Sequence, residues 1–259
     1  MEQGGQKLFN VERQNEIIRI LKGKNKITVQ ELSTYFNVSP TTIRTDMREL
    51  EKLHKLIRTH GGAILINERG EESVPEVKAT EMVEQKKRIA IEALQRIKDG
   101  DRIIILTGTT AFELIRLLPQ RKNLLVYLND IRFASWLEKN SDCTVMLFGG
   151  RLRKPFHYTI PEGNDNVLNV FNVDKAFITC NGIDLNRGIT TPDLETARFT
   201  KQVAKISGKT IVIADSSKLG KITFAQSLCL DEVRELITDD GGDPEYIKSI
   251  KKIIKVTEV

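Results

Sequence analysis

Pro40, Thr41, Thr42, Arg44 and Thr45 follow directly on Ser39. Hydroxyls and a guanidinium at the opening of one helix make a surface suited to base edges. Threonine can donate, accept or lay its methyl on thymine, and Arg44 can bracket guanine O6/N7 or hold a phosphate. Arg48, Lys52, Lys55, Arg58 and His60 come next and are better placed for phosphate oxygens. A second group lies far downstream. Gly108-Thr109-Thr110 closes an apolar run and opens a helical one. Its bare N–H groups, two hydroxyls and helix dipole suit an anion. Gly149-Gly150 lets backbone approach a ligand closely, Lys218 can neutralise a phosphate, and Glu195 or Asp215 can accept from sugar hydroxyls. Arg151, Arg153 and Lys154 could also reach a phosphate, though a solvated basic loop is the plainer reading.

Other chemistries find little support. Cys143, Cys180 and Cys229 are far apart and form no CxxC pair, so neither a disulfide framework nor a zinc site is expected. Gly208-Lys209-Thr210 resembles the end of a P-loop, but Val203 stands where the first glycine is required and the strand follows it. No metal and no cofactor are expected.

The elements that must position these residues can be read from spacing. The first helix is predicted from Val11 to Leu21, with Ile17, Ile18 and Leu21 as its apolar stripe and Gly23 ending it. Thr28 with Glu31 makes a capping box for a helix carrying Val29, Leu32 and Phe36. Asn37-Val38 turns the chain, Ser39 caps the next helix, and Pro40 takes its first position. Ile43, Met47, Leu50 and Leu53 face inward. Leu56–Thr59 and Ala63–Ile66 read as strands around His60-Gly61-Gly62. This is a winged helix-turn-helix, a unit that presents its second helix to a DNA major groove.

Residues 67–80 are polar and broken by Pro75 and read as a linker. A helix from Glu81 to Lys98 follows. Strands are then predicted at Arg102–Leu106, Leu124–Leu128, Thr144–Phe148, Ala176–Thr179 and Thr210–Ala214. Helices are expected after the first two. This alternation implies a parallel sheet covered on both faces, an α/β domain whose ligands bind beyond the carboxyl ends of the strands. The domains are thus 1–66, DNA-binding, 67–80, a linker, and 81–259, the α/β unit.

Charge agrees with this division. The 259 residues carry a net +5; residues 1–66 hold 11 Lys+Arg against 7 Asp+Glu, and residues 67–259 hold 29 against 28. The excess sits in the segment expected to meet phosphates. No apolar run approaches the ~18 residues of a membrane helix, and MEQGGQKLFN has no apolar core of a secretory signal, so a cytoplasmic, nucleoid-associated protein is expected.

The stretch ITVQELSTYFNVSPTTIRTDMRELEKLHKLIRTHGGA resembles the N-terminal signature of the DeoR family of bacterial transcriptional regulators. Thr42-Ile43-Arg44, Asp46, Leu50, Arg58 and His60-Gly61-Gly62-Ala63 carry the match. Thr45 stands where the family usually has a second Arg, and His54 or Lys55 where Gly usually ends the helix. The resemblance runs to about residue 240 through Gly108-Thr109-Thr110, Asn129, Gly149-Gly150, Gly163, DKAFITCNGIDLNRGITTPDLETA with Gly182 and Glu195, and Asp215-Ser216-Ser217-Lys218. It implies a C-terminal domain resembling ribose-5-phosphate isomerase and CoA transferases in fold, sensing a phosphorylated sugar or polyol. The implied effector set is Gly108, Thr109, Thr110, Asn129, Asp130, Gly149, Gly150, Gly182, Glu195, Asp215 and Lys218. Leu106 stands where relatives commonly have Asp, and Asp130 where they commonly have Ser, which predicts a ligand of different hydroxyl pattern.

The family therefore implies a homo-oligomeric repressor of a carbohydrate-utilisation operon, released from double-stranded operator DNA by its effector. The rival reading is a sugar-phosphate isomerase-like or CoA-transferase-like enzyme with an attached DNA-binding domain. Isomerases of similar fold use a Lys in a glycine-rich loop, whereas Gly188-Ile189-Thr190-Thr191-Pro192 has no Lys and one Gly. No catalytic residue is assigned.

Overall fold

The computed structural model describes residues 10–24, 26–52, 56–59, 61–65, 75–162, 168 and 170–259. Two compact units divide the chain, Met1–Ser73 and Val74–Val259.

The first unit contains α1 (Asn10–Lys24), β1 (Lys26–Thr28), α2 (Val29–Phe36), α3 (Pro40–Lys52), β2 (Leu56–Thr59) and β3 (Gly62–Leu65). Its helix ends follow local chemistry. Thr28 Oγ1 accepts from the Glu31 amide at 3.1 Å, and the Glu31 carboxylate accepts from the Thr28 amide at 2.7 Å. Asn37, at φ 50°, closes α2 in the left-handed region that asparagine tolerates. Ser39 Oγ accepts from the Thr42 amide at 3.1 Å, and Pro40 opens α3. One expectation needs correcting: α1 runs through Gly23 to Lys24, because a single glycine in a last turn costs only about 1 kcal/mol. Ile17, Leu21, Leu32, Ile43, Met47, Leu50, Leu56 and Ala63 form the core. Leu53, Lys55 and Ile66 lie outside the described residues.

The sheet order is β1-β3-β2, so β3 is paired on both sides. β1 has no sequence signal of its own. Gly62 faces Thr28 on one neighbour and Thr59 on the other. A Cβ at Gly62 would lie 2.0 Å from the Ile27 carbonyl oxygen, so only glycine lets β1 approach this closely.

The second unit opens with α4 (Pro75–Lys78) and α5 (Val83–Leu94). The described end of the expected linker is thus a helical turn, and α5 is shorter than predicted at both ends: Met82 takes a left-handed φ of 50° just before it, and the helix stops at Leu94 with Gln95 as its cap. Lys86 joins the two helices: its ammonium donates to the Lys78 carbonyl and, at 2.6 Å, to the Glu81 carbonyl.

A seven-stranded sheet, parallel throughout, follows. Its strands are β4 (Arg102–Ile105), β5 (Leu125–Leu128), β6 (Thr144–Leu147), β9 (Lys175–Ile178), β12 (Thr210–Ile213), β14 (Glu235–Thr238) and β15 (Lys255–Glu258), in the order β15-β14-β12-β9-β4-β5-β6. The continuous apolar run of β4 splits by side-chain alternation: Ile103 and Ile105 enter one core, Ile104 and Leu106 the other. The first core packs under α5, α6 (Thr109–Ile115) and α7 (Ile131–Asn140); the second lies under α8 (Leu194–Lys205) and α9 (Pro244–Lys251). The sequence reading did not foresee the hairpin of β7 (Arg151–Arg153) and β8 (Tyr158–Ile160). Nor did it foresee the antiparallel sheet of β10 (Gly182–Asp184), β11 (Gly188–Thr191) and β13 (Ala225–Leu228), or the final β14-α9-β15. No helix among the described residues is long and apolar enough to cross a membrane.

Candidate nucleic-acid interface and effector rim

α3 has two opposed faces. Ile43, Met47 and Leu50 are buried in the core, while Thr41, Arg44, Thr45 and Arg48 are exposed at spacings of three and four, one stripe on the far side. Arg44 and Arg48 have no ion-pair partner among the described residues, so both guanidinium groups are available. The hydroxyls are less free. Ser39 Oγ and Thr42 Oγ1 lie 2.9 Å apart within the cap, and Thr45 Oγ1 donates to the Thr41 carbonyl at 3.1 Å. The Thr45 hydroxyl proton is therefore committed to the helix backbone. Arg58 is also committed: its Nε donates to Glu51 at 2.7 Å and its amide to the same carboxylate at 3.1 Å, tying β2 to α3. The Lys52 side chain and all of His60 lie outside the described residues.

Sequence reading missed what aims α3. Asp46 is 1% exposed and accepts two hydrogen bonds from the Arg13 guanidinium, at 2.5 and 2.9 Å. Glu49, one turn on, accepts from Gln14. Burial of an unpaired Asp46 would cost several kcal/mol, so the pair fixes α3 against α1. The spacing of Asp46 from the buried stripe was the available signal; its partner on another helix was not.

In the second unit, the carboxyl ends of the strands form a rim. After β4, the Thr107 amide donates to Asn129 Oδ1 at 2.9 Å and its hydroxyl to Asp130 at 2.7 Å. Thr179, after β9, donates its hydroxyl to the Thr107 carbonyl at 2.6 Å. Asn129 also donates to the Thr159 carbonyl at 3.2 Å. Gly108, at φ 153°, packs so tightly that a Cβ would sit 2.4 Å from the Thr179 hydroxyl oxygen.

These contacts change several expected roles. Asn129 and Asp130 are buried, and Asp130 caps α7 and pairs with Arg132 at 2.6 Å. Both shape the Thr107-Gly108 turn from beneath. Thr110 is likewise buried inside α6; Gly108 and Thr109 are half-buried and open. Leu106 is buried in the core.

Gly149 and Gly150 follow β6, and a Cβ at Gly150 would lie 2.2 Å from the Ile160 carbonyl oxygen. Arg151 then bonds both Glu195, at the start of α8, and Glu162, the latter at 3.0 Å. Glu195 and Arg151 are thus neighbours on the rim, both half-exposed, and Arg151 is better placed than a loose basic loop would be. Arg153 reaches Asp193 at 3.6 Å. Gly163 lies outside the described residues. Buried Gly182 abuts the Lys221 carbonyl, where a Cβ would fall 2.3 Å from oxygen.

A third cluster follows β12. Asp215 is 1% exposed and caps the turn at Ser217; Lys218 Nζ lies 3.8 Å from its carboxylate. Burial lowers the Lys86 ammonium below the usual lysine range, opposed by the nearby charge of Asp215. Burial also pushes the Cys180 thiol up to about 12, so it stays protonated and inert. The Gly188–Thr191 stretch, set against the isomerase loop, is a buried strand of the small sheet. Among the described residues no group of acids, His and Cys could hold a metal.

Comparison with known proteins agrees with both units. Residues 13–69 match the model of the DeoR-like helix-turn-helix domain, and residues 81–240 that of the DeoR C terminal sensor domain. The chain is 38% identical to the uncharacterized HTH-type transcriptional regulator YulB of Bacillus subtilis, over 96% of each chain. It is 31% identical to the HTH-type transcriptional regulator GlpR of Haloferax volcanii, over 94% of this chain and 95% of that one. It is 29% identical to the glycerol-3-phosphate regulon repressor of Escherichia coli, over 88% and 90%. Among solved structures, ribose 5-phosphate isomerase from Plasmodium falciparum is 22% identical and covers 53% of each chain at a TM-score of 0.39, a likeness that carries no weight for function. With a helix-turn-helix unit and a sensor unit both matched in sequence, the chain belongs to the DeoR family of transcriptional regulators.

Proposed function

We propose that this regulator represses a carbohydrate-utilisation operon and leaves its operator when a phosphorylated sugar or polyol binds the rim of the second unit. In this reading residues 1–66 bind DNA, 67–80 connect, 81–259 sense the effector and form the oligomer, and the protein works in the bacterial cytoplasm on the nucleoid. The observation that carries it is the exposed α3 stripe of Thr41, Arg44, Thr45 and Arg48, opposite a buried face of Ile43, Met47 and Leu50. Arg44, nearest the helix start, reaches base edges; Arg48 holds phosphate; Ser39, Thr42, Lys52, Arg58 and His60 flank them. The name of the E. coli relative, the glycerol-3-phosphate regulon repressor, supports a phosphorylated polyol or sugar as the effector class.

On the rim, Thr109, Gly149, Gly150 and Lys218 receive the phosphoryl group, and Glu195 accepts from hydroxyls. Coupling runs through Lys86. Lys218 now screens Asp215, 3.8 Å away. A phosphoryl group that draws Lys218 toward itself leaves Asp215 to attract the Lys86 ammonium, which lets go of the Lys78 and Glu81 carbonyls and frees the connecting segment. The effector must bind that released state more tightly than the held one; equal affinity for both would shift nothing. Fluorescence anisotropy on DNA from the chain's own promoter, titrated with a panel of sugar and polyol phosphates, tests the reading: one of them weakens binding. A panel without effect refutes the effector assignment, and absence of promoter binding refutes the whole reading.

A further inference from the structure

The amino ends of the same parallel strands carry a second concavity, at the opposite end of the sheet from the rim. Two adjoining cavities, of about 590 Å³ and 270 Å³, open between the starts of β4, β9, β12 and β14 and the ends of α5 and α8. Lys98, Lys175 and Lys209 line both. Together the cavities are walled by eight Lys and Arg side chains and three carboxylates. Residues 67–259 hold 29 basic against 28 acidic residues, so this surplus of five is concentrated here and is not the unit's general character.

Each carboxylate already has its cation. Asp101 takes Lys175 at 2.5 Å, Asp174 takes Arg102 at 3.2 Å, and Glu235 takes Arg96 at 2.7 Å. Among the described residues, Lys98, Lys205, Lys209 and Arg234 have no ion-pair partner, and all four are exposed at the cavity mouths. The carboxyl ends of α5 and α8 point here and oppose an anion, but each contributes only about half a negative charge, too little to offset the surplus. Four unpaired cations crowded round a concave wall repel one another, and an anion with several charges relieves that best.

We propose that this amino-end cavity is a binding site for a small anion carrying two or more phosphoryl groups, separate from the sugar-phosphate rim. The combined volume falls in the range of small-ligand sites, and the concavity admits a short phosphate chain where a DNA duplex would meet only its edge. A single phosphate would engage only part of the array. The chain lies across Lys98, Lys175 and Lys209, with Lys205 and Arg234 closing on its ends. The regulator thereby takes a second chemical input that does not compete with the first.

Isothermal titration calorimetry on the full chain tests this with inorganic tripolyphosphate, a nucleoside triphosphate and inorganic monophosphate. Tripolyphosphate should bind at least tenfold more tightly than monophosphate. The K98A/K205A/K209A variant should lose at least tenfold, while R44A/R48A and K218A bind it as the unaltered chain does. Equal affinity for tripolyphosphate and the nucleotide means the phosphate chain alone is recognised; a tighter nucleotide means that exposed Asn172, in the same wall, reads its base or sugar. The three lysines are exposed and unpaired, so operator binding and the far-ultraviolet circular dichroism of the triple variant serve as its folding control. Absence of tripolyphosphate binding, or its loss in R44A/R48A or K218A in place of the triple variant, overturns the proposal. So does a triple variant that loses affinity for non-operator DNA but not for tripolyphosphate, since the face would then serve nucleic acid. Every outcome is independent of whether a sugar phosphate releases the operator.

Discussion

Arg13 of α1 grips Asp46 of α3 through two hydrogen bonds, at 2.5 and 2.9 Å, with the carboxylate sealed from solvent. The residue that carries a family motif is here a structural clamp, and the helix it holds is the one whose other face is exposed. Replacing Asp46 with Asn should destabilise the first unit by about 3 kcal/mol, because a half-buried guanidinium loses its counter-charge. Hydrogen-exchange mass spectrometry should show faster exchange in α1 and α3 and no change in the parallel sheet.

Arg44 and Arg48 should fail differently. Arg44→Ala should cost about 1–3 kcal/mol on the native promoter and relax discrimination between bases. Arg48→Ala should weaken all sequences alike and reduce the slope of log affinity against log salt by about 1. Anisotropy titrations at several salt concentrations, on promoter and scrambled duplexes, separate the two.

Adjacent glycines of the wing should not be equivalent. Gly62→Ala drives a methyl onto the Ile27 carbonyl and should destabilise the first unit by about 3 kcal/mol, whereas Gly61 has open space around its missing Cβ and Gly61→Ala should stay within about 1 kcal/mol. Thermal melting of the two variants, with promoter binding as a second readout, checks the difference.

Glu235 should make the second unit acid-sensitive. Burial pushes its carboxyl up, but hydrogen bonds from Arg96, Thr257 and Lys255 outweigh this and hold it at about 2. Its folded value lies below the unfolded one, about 4.3. The ionised pair therefore stabilises the fold above that value, by about 3 kcal/mol, and the stability is lost as pH falls toward 2. Urea unfolding followed by the single Trp, Trp136, should show this slope, and Glu235→Gln should flatten it while lowering stability at neutral pH.

On the proposed coupling, Lys86 should separate binding from response. Lys86→Met should leave effector affinity within about twofold by calorimetry, yet abolish the effector's influence on operator affinity, a coupling that typically amounts to about 1–3 kcal/mol. An unchanged response in this variant would remove Lys86 from the pathway.

The sequence was most legible where one short segment decides its own conformation. The Thr28–Glu31 capping box, the Ser39-Pro40 opening and the apolar spacing of Ile43, Met47 and Leu50 are local, and each stands in the structure as spacing implied. β4, β9 and β12 were legible because both their faces are buried, which makes them apolar runs. Gly182–Asp184, Ala225–Leu228 and Lys255–Glu258 were not, since they are short and mixed in character, and the last two are held by strands further off in the chain. Site residues divide the same way. Asn129, Asp130 and Asp215 were correctly drawn to the strand ends, but composition cannot tell a side chain that meets a ligand from one that supports the turn beneath it. Partners such as Arg13, Arg151 and Lys86 are set by the fold alone.

The tie between Thr107 and the Asn129-Asp130 pair has an evolutionary implication. Because those side chains spend their bonding capacity inward, the floor beneath the sensing surface is finished before any metabolite arrives. With the rim as the proposed effector site, a lineage can then exchange Arg151, Glu195 or their neighbours and drift toward a new ligand without rebuilding the sheet. One scaffold could in this way come to serve many catabolic pathways while its foundations stay as they are.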